Sequence, residues 1–161
     1  SWIVVKDSVQ RKKGVNLGLC LQAIIKNGAK PKEDLTELWK RIVFNMAVSN
    51  TDDHLRNHGF ILSKNGWRLS PAYDINPNPA GEGLALNVSE NDNSIDINLA
   101  LSTHRFYQLE KDKAAKIASE ICLAVSRNWE KIASKHGISR SMIELMRPAF
   151  NAAVKNKIST T

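Results

Sequence analysis

Asn50-Thr51-Asp52-Asp53-His54-Leu55-Arg56-Asn57-His58 is the stretch whose reading decides the fold. It is almost wholly polar, yet apolar segments flank it on both sides. Before it, Leu35, Leu38, Trp39, Ile42, Val43 and Met46 recur at spacings of three and four, the mark of one apolar helix face. A helix is expected from Pro31 to Val48, with the proline suited to its first turn. Asn45 and Ser49 are polar exceptions near its end. After the polar stretch comes Phe60-Ile61-Leu62, then Asn65-Gly66, a strong two-residue hairpin signal, then Trp67-Arg68-Leu69 as the return strand. The segment Ser70-Pro71-Ala72-Tyr73-Asp74-Ile75-Asn76-Pro77-Asn78-Pro79 holds three prolines, which exclude regular helix and make it a structured loop. One polar loop therefore enters a small hairpin and another leaves it.

Further out the pattern is helical. Residues 17–27 read as a short buried helix closed by Gly28. Ile117, Ile121, Ala124, Val125 and Ile132 mark the face of a long helix from Lys111 to His136, stopped by Gly137. Ser139 or Ser141 caps a last helix; Ser141 and Glu144 have capping-box spacing, and Pro148 kinks it. The apolar face of that helix takes in Ile143, Met146, Phe150 and Val154. Leu84, Leu86 and Val88 alternate as in a short extended piece, and residues 89–94 form a polar turn. The expected fold is mainly α with a small β-hairpin, in a single domain over residues 1–161.

The two loops carry a spacing with chemical meaning. Phosphoryl transfer needs a carboxylate to orient the attacking hydroxyl and oxygen ligands to hold Mg²⁺ against the nucleotide phosphates. Mg²⁺ is satisfied by one or two carboxylates plus waters and phosphates. Asp52 is followed five residues later by Asn57, and Asp74 comes seventeen residues after that, beyond the hairpin. Tethering both loops to one hairpin brings Asn57 and Asp74 together, and a neutral amide beside a carboxylate repels less than two carboxylates would.

These residues resemble the HipA-type serine/threonine kinases, the toxins of bacterial toxin–antitoxin modules. The likeness rests on Phe44-Asn45, on Ser49 through Asn57, on Gly59-Phe60 and on Ser70-Pro71-Ala72-Tyr73-Asp74. Gly28-Ala29-Lys30-Pro31-Lys32-Glu33-Asp34-Leu35, Trp129 and Gly137-Ile138-Ser139 extend it over residues 20 to 155. The resemblance implies the C-terminal helical lobe of a protein-kinase-like fold. It implies Asp52 as catalytic base or hydroxyl-orienting residue, Asn57 and Asp74 as Mg²⁺ ligands, and His54 as a residue shaping the loop at the nucleotide. It further implies ATP, a protein substrate with a serine or threonine, a DNA-binding antitoxin and a cytoplasmic location. No Gly-rich loop with a following strand lysine precedes Asp52, and the chain lacks an initiator Met. The expectation is a fragment whose phosphate-clamping N-terminal lobe lies elsewhere and which binds ATP poorly alone.

Composition fits an ordinary globular domain of 161 residues with 42% hydrophobic content. No run of about 18 apolar residues suggests a membrane span. Cys20 and Cys122 sit among apolar neighbours and read as buried free thiols. The net charge is +7, with nine Lys/Arg against four Asp/Glu in residues 1–41, ten against four in 111–161, and one against five in 75–110. Basic ends admit nucleic-acid contact, but solvated helix faces are the commoner reason for such charge. The rival readings are a degenerate kinase lobe serving only as a protein-binding module and a basic helical domain associated with nucleic acid.

Other patterns carry less. Asp53 reads as a solvated neighbour of Asp52. His54 and His58 have zincin spacing, but Leu55 stands where the general base belongs. Asp92, Ser94 and Asp96 imitate the start of a Ca²⁺ loop, but Ile97 and Thr103 occupy its Gly and Glu positions. His104, His136, Trp39 and Trp129 read as structural. Whether residues 75–96 form an acidic loop beside the site is left open.

Overall fold

The structure, a computed structural model, describes residues 2–4 and 17–156. Helix α1 spans Gly18–Asn27 and α2 spans Pro31–Ala47. Pro31 opens α2, and Glu33 and Asp34 lie in its first turn, where carboxylates favour the positive end of the helix dipole. All six apolar residues of its expected face are buried. Trp39 lies at the centre and donates its indole N–H to the carbonyl of Ala100 at 3.1 Å, so its one polar atom is satisfied.

Strands β2 (Gly59–Ser63) and β3 (Gly66–Leu69) form the expected hairpin. A further strand, β1 (Trp2–Val4), pairs antiparallel with β2, giving a three-stranded sheet in the order β1-β2-β3. The sequence reading did not find β1, because three residues are too few to show a period. The hairpin is fastened to α2 by buried Asp34. Its carboxylate accepts from Arg68 Nε at 3.0 Å and from the backbone N–H of Leu69 at 3.2 Å.

Helix α3 (Ile97–Ser102) is capped by Asp96, which accepts from Asn98 N–H at 2.9 Å. Helix α4 runs over Lys111–Lys135 and packs on α2. Gly137, at φ +76°, ends it in the left-handed conformation, and the N–H of Ile138 returns to the carbonyl of Ala133 at 3.1 Å. The buried face differs from the expected one. Ala114, Ala118, Cys122, Val125 and Trp129 are buried, whereas Ile117 and Ile121 are half-buried and Ala124 and Ile132 face outward. Small residues let α4 approach α2 closely, so the bulky isoleucines are displaced to the flank.

Helices α5 (Arg140–Met146) and α6 (Asn151–Lys155) are separated by a 3-10 turn holding Pro148. Ser139, not Ser141, caps α5 and accepts from Met142 N–H at 3.3 Å. Glu144 pairs with Arg147 instead of closing a capping box. Ile143 and Phe150 are buried as expected, but Val154 is exposed. Leu84, Leu86 and Val88 all point inward, yet they form no strand; Leu84 N–H bonds Asn93 O and Val88 N–H bonds Asp92 O, so the loop closes on itself. His104 Nδ1 lies 2.6 Å from the carbonyl of Leu109, a structural contact. Both cysteines are free and buried. No helix among the described residues is long and apolar enough to cross a membrane.

Candidate active site

Beyond α2 the chain must reverse to reach β2. Ser49, at φ +50°, makes the turn, and Asn50 N–H bonds back to Asn45 O at 2.8 Å. A 3-10 turn over Leu55–Asn57 completes the approach. Beneath this loop lies a buried polar cluster. Asn45 Nδ2 donates to Asp53 Oδ2 at 2.6 Å, Asn50 Nδ2 donates to Asn45 Oδ1 at 3.1 Å, and His58 Nε2 lies 3.0 Å from Asp53 Oδ1. Asp53 is only 5% exposed, so it is not the solvated neighbour expected. A carboxylate survives burial only with such partners.

Asp52 is exposed, and its carboxylate has no hydrogen-bonding or ion-pair partner among the described residues. Its backbone carbonyl accepts from Asn57 Nδ2 at 3.3 Å. With Nδ2 so engaged, Oδ1 of the buried Asn57 is the amide atom left to meet a cation. His54 is half-buried, and its carbonyl accepts from Asn57 N–H at 2.8 Å. Its Nδ1 is buried without a partner among the described residues. His54 and His58 do not form a helical metal pair. Residue 54 is extended, residues 55–57 form the 3-10 turn, and His58 faces Asp53.

The loop carrying Asp74 is bound to this one at several points. Ser70 N–H bonds Gly59 O at 2.8 Å, and the guanidinium of buried Arg41 donates to Ser70 O. Tyr73 donates its hydroxyl to Arg56 O at 2.5 Å. Asp74 is exposed, stands at φ +56°, and accepts from Asn76 Nδ2 at 2.9 Å. Farther on, Asn78 N–H bonds Ser49 O at 3.1 Å and its Nδ2 donates to Thr51 Oγ1 at 2.8 Å. Gly81 packs so closely that a Cβ there would stand 2.1 Å from Thr51 Cγ2. Residues 75–96 are thus partly answered: their first part grips the Asp52 loop from outside. Sequence reasoning missed Asp53, His58, Tyr73, Asn78 and Gly81 as parts of the site. Asn45 and Ser49 signalled themselves, as polar exceptions at the end of an apolar helix face.

Residues 6–129 match the HipA-like C-terminal domain family. The chain belongs to that family. A curated relative, the putative kinase Y4mE of Sinorhizobium fredii (strain NBRC 101917 / NGR234), is 21% identical over 126 residues, covering 77% of this chain and 24% of the relative. The chain thus spans about a quarter of that relative's length. The HipA of the Shewanella oneidensis MR-1 toxin–antitoxin system, solved with HipB and operator DNA, superposes with a TM-score of 0.72 at 13% identity. That match covers 91% of this chain and 36% of the Shewanella chain, and it shows the same fold.

In this HipA-like domain, neither Asp52 nor Asp74 is ion-paired with a described residue. No group of three or more His, Cys, Asp and Glu side chains gathers among the described residues, so no protein-only metal cage exists there. Two exposed carboxylates and one oriented amide fit an ion that takes most of its ligands from water and phosphate, as Mg²⁺ does. Cys20 lies close enough to feel the cluster. Burial pushes its thiol up to about 12, Asp53 adds to the rise and Arg41 opposes it.

Proposed function

We propose that this domain is the catalytic lobe of an ATP- and Mg²⁺-dependent protein kinase acting on a serine or threonine of a protein substrate. The contrast between two neighbours carries the reading. Asp53 is buried, accepts from Asn45 and lies against His58, which holds the loop; Asp52 is exposed and unpartnered, free to meet a hydroxyl. Asp52 orients that hydroxyl and takes its proton as the oxygen bonds the γ-phosphorus and the bond to the leaving oxygen breaks. Asn57 and Asp74 are the side chains that would hold Mg²⁺, which when bound offsets charge on the phosphates. His54 shapes the loop by accepting the N–H of Asn57.

Positioning ATP also requires a phosphate-gripping lobe, and we assign that role to a segment outside the domain. The longer relatives support this, since the domain covers 24% of one and 36% of the other. A DNA-binding antitoxin is the proposed partner, in line with the Shewanella HipA solved beside HipB and operator DNA, and the cytoplasm is the proposed location.

The test replaces Asp52 by Ala or Asn in the complete protein and follows transfer of the ATP γ-phosphate. A loss of about a hundredfold or more in kcat is expected, each order of magnitude being about 1.4 kcal/mol of barrier. An effect of only a few fold removes Asp52 from the role. Asn57→Ala and Asp74→Ala are expected to raise the Mg²⁺ concentration needed for half-maximal rate.

A further inference from the structure

An open groove of about 810 Å³ runs between α4, α5 and the loop after Asp74. Trp129 and Phe150, stacked with centroids 4.1 Å apart, are buried in its wall. Ile132, Ile138 and Met142 line it while remaining 56%, 47% and 50% exposed, and Ile75 and Pro77 carry it to the border of the candidate active site. Asn128 is the one amide in the lining, and no charged side chain belongs to it. A phosphate or nucleotide therefore finds nothing to bind. An apolar concavity of this size, with several large side chains in water, is the kind of surface that a partner covers.

The charge at its edge says which kind. Lys131 is three residues after Asn128, and Lys135 is three after Ile132, so helix geometry sets both beside the lining face. Both are exposed and have no ion-pair partner among the described residues. The carboxylates on the α4–α5 side are already engaged: Arg147 holds Glu130 at 2.5 Å and Glu144 at 2.8 Å. The α4–α5 edge, away from Asp74, is therefore positive and uncompensated. A second copy of the chain would bring the same lysines and be repelled. We infer that this groove docks an amphipathic helix of a partner protein, with an aliphatic face seated between α4 and α5 and acidic residues on its flanks. Met142 and Met146, flexible and unbranched, let the lining adapt to that face.

The test is independent of phosphoryl transfer. A fluorescein-labelled synthetic 18-residue helix, with leucines at i, i+3, i+4 and i+7 and glutamates on its flanks, is titrated into the full chain and followed by anisotropy. A second peptide carries lysines in place of the glutamates. The acidic peptide is expected to bind with a Kd of about 1–100 µM, at least tenfold tighter than the basic one, and to weaken with added salt. Ile132→Glu is expected to lower affinity about tenfold or more. The exposed pair Lys131→Glu with Lys135→Glu is expected to do the same with an unchanged melting profile, which keeps the test valid if Ile132→Glu misfolds. Absence of binding, equal binding of the two peptides, or sedimentation showing a dimer that Ile132→Glu dissolves would each overturn the proposal.

Discussion

Burying Asp53 takes a carboxylate out of water, and the loss is offset by Asn45 Nδ2 at 2.6 Å and by His58 Nε2 at 3.0 Å. Removing the carboxylate strands the Asn45 amide and takes away the group that His58 faces. Asp53→Ala is therefore expected to cost about 2–4 kcal/mol in urea denaturation. Asp52→Ala, one residue away, removes only an exposed group and should shift stability by less than about 0.5 kcal/mol. Equal effects would mean that the buried cluster around Asp53 adds nothing to stability. In the sequence the pair Asp52-Asp53 is symmetric, and nothing local says which member turns inward. The left-handed turn at Ser49 and the 3-10 turn after His54 decide it, because together they set the rotation of the backbone between α2 and β2.

At the scale of elements, the hairpin is held by one side chain of α2. Asp34 is 3% exposed and accepts from both Arg68 and Leu69 N–H, so Asp34→Ala is expected to destabilise by about 2–4 kcal/mol. Gly137 offers a cleaner case. A Cβ there meets nothing within 4 Å, so Gly137→Ala isolates the cost of φ +76°, about 1 kcal/mol, readable as a shift in the urea midpoint. Gly81→Ala has a different target. Its Cβ would press on Thr51, whose hydroxyl is held by Asn78, so the loop carrying Asp52 must move. On the role proposed for Asp52, a fall in kcat larger than any loss of stability is expected in the complete protein; an unchanged kcat would show that the contact does not position Asp52. These element boundaries were mostly legible. Pro31, Asn65-Gly66 and Gly137 punctuate the chain through their own backbone constraints, which need no distant partner, whereas Gly28 ends α1 in an extended conformation bridged to Trp67. The orientation of α4 was not legible, because a long helix rich in both alanine and isoleucine offers two apolar faces, and only packing against α2 selects the one with small residues.

For the whole molecule, burial makes stability depend on alkaline pH. The thiols of Cys20 and Cys122 are raised from an ordinary 9.0 to about 12 and about 11, and burial also raises Tyr107 above the usual phenol value. Once unfolded, the thiols lose protons near pH 9, while the native state keeps them. The unfolded state then binds fewer protons, so stability falls as pH rises. The contribution is fully present below pH 9.0 and is lost as pH climbs toward the native values. Urea midpoints at pH 8 and pH 10.5 should show the decline, and a Cys20→Ala, Cys122→Ala variant should show a shallower one. A thiol reagent is expected to reach these two groups only after unfolding.

Sequence alone determined the main helices, the hairpin and the two polar loops, because local periodicity and turn chemistry are intrinsic to it. Tertiary structure decided the rest: β1 on the edge of the sheet, the buried Asn45–Asp53–His58 cluster, the grip of Asn78 and Gly81 on Thr51, and the open groove beside α4. Each of these depends on residues far apart in the chain meeting in space, and the free energy of such a meeting is set by what surrounds it, which no local stretch of sequence contains.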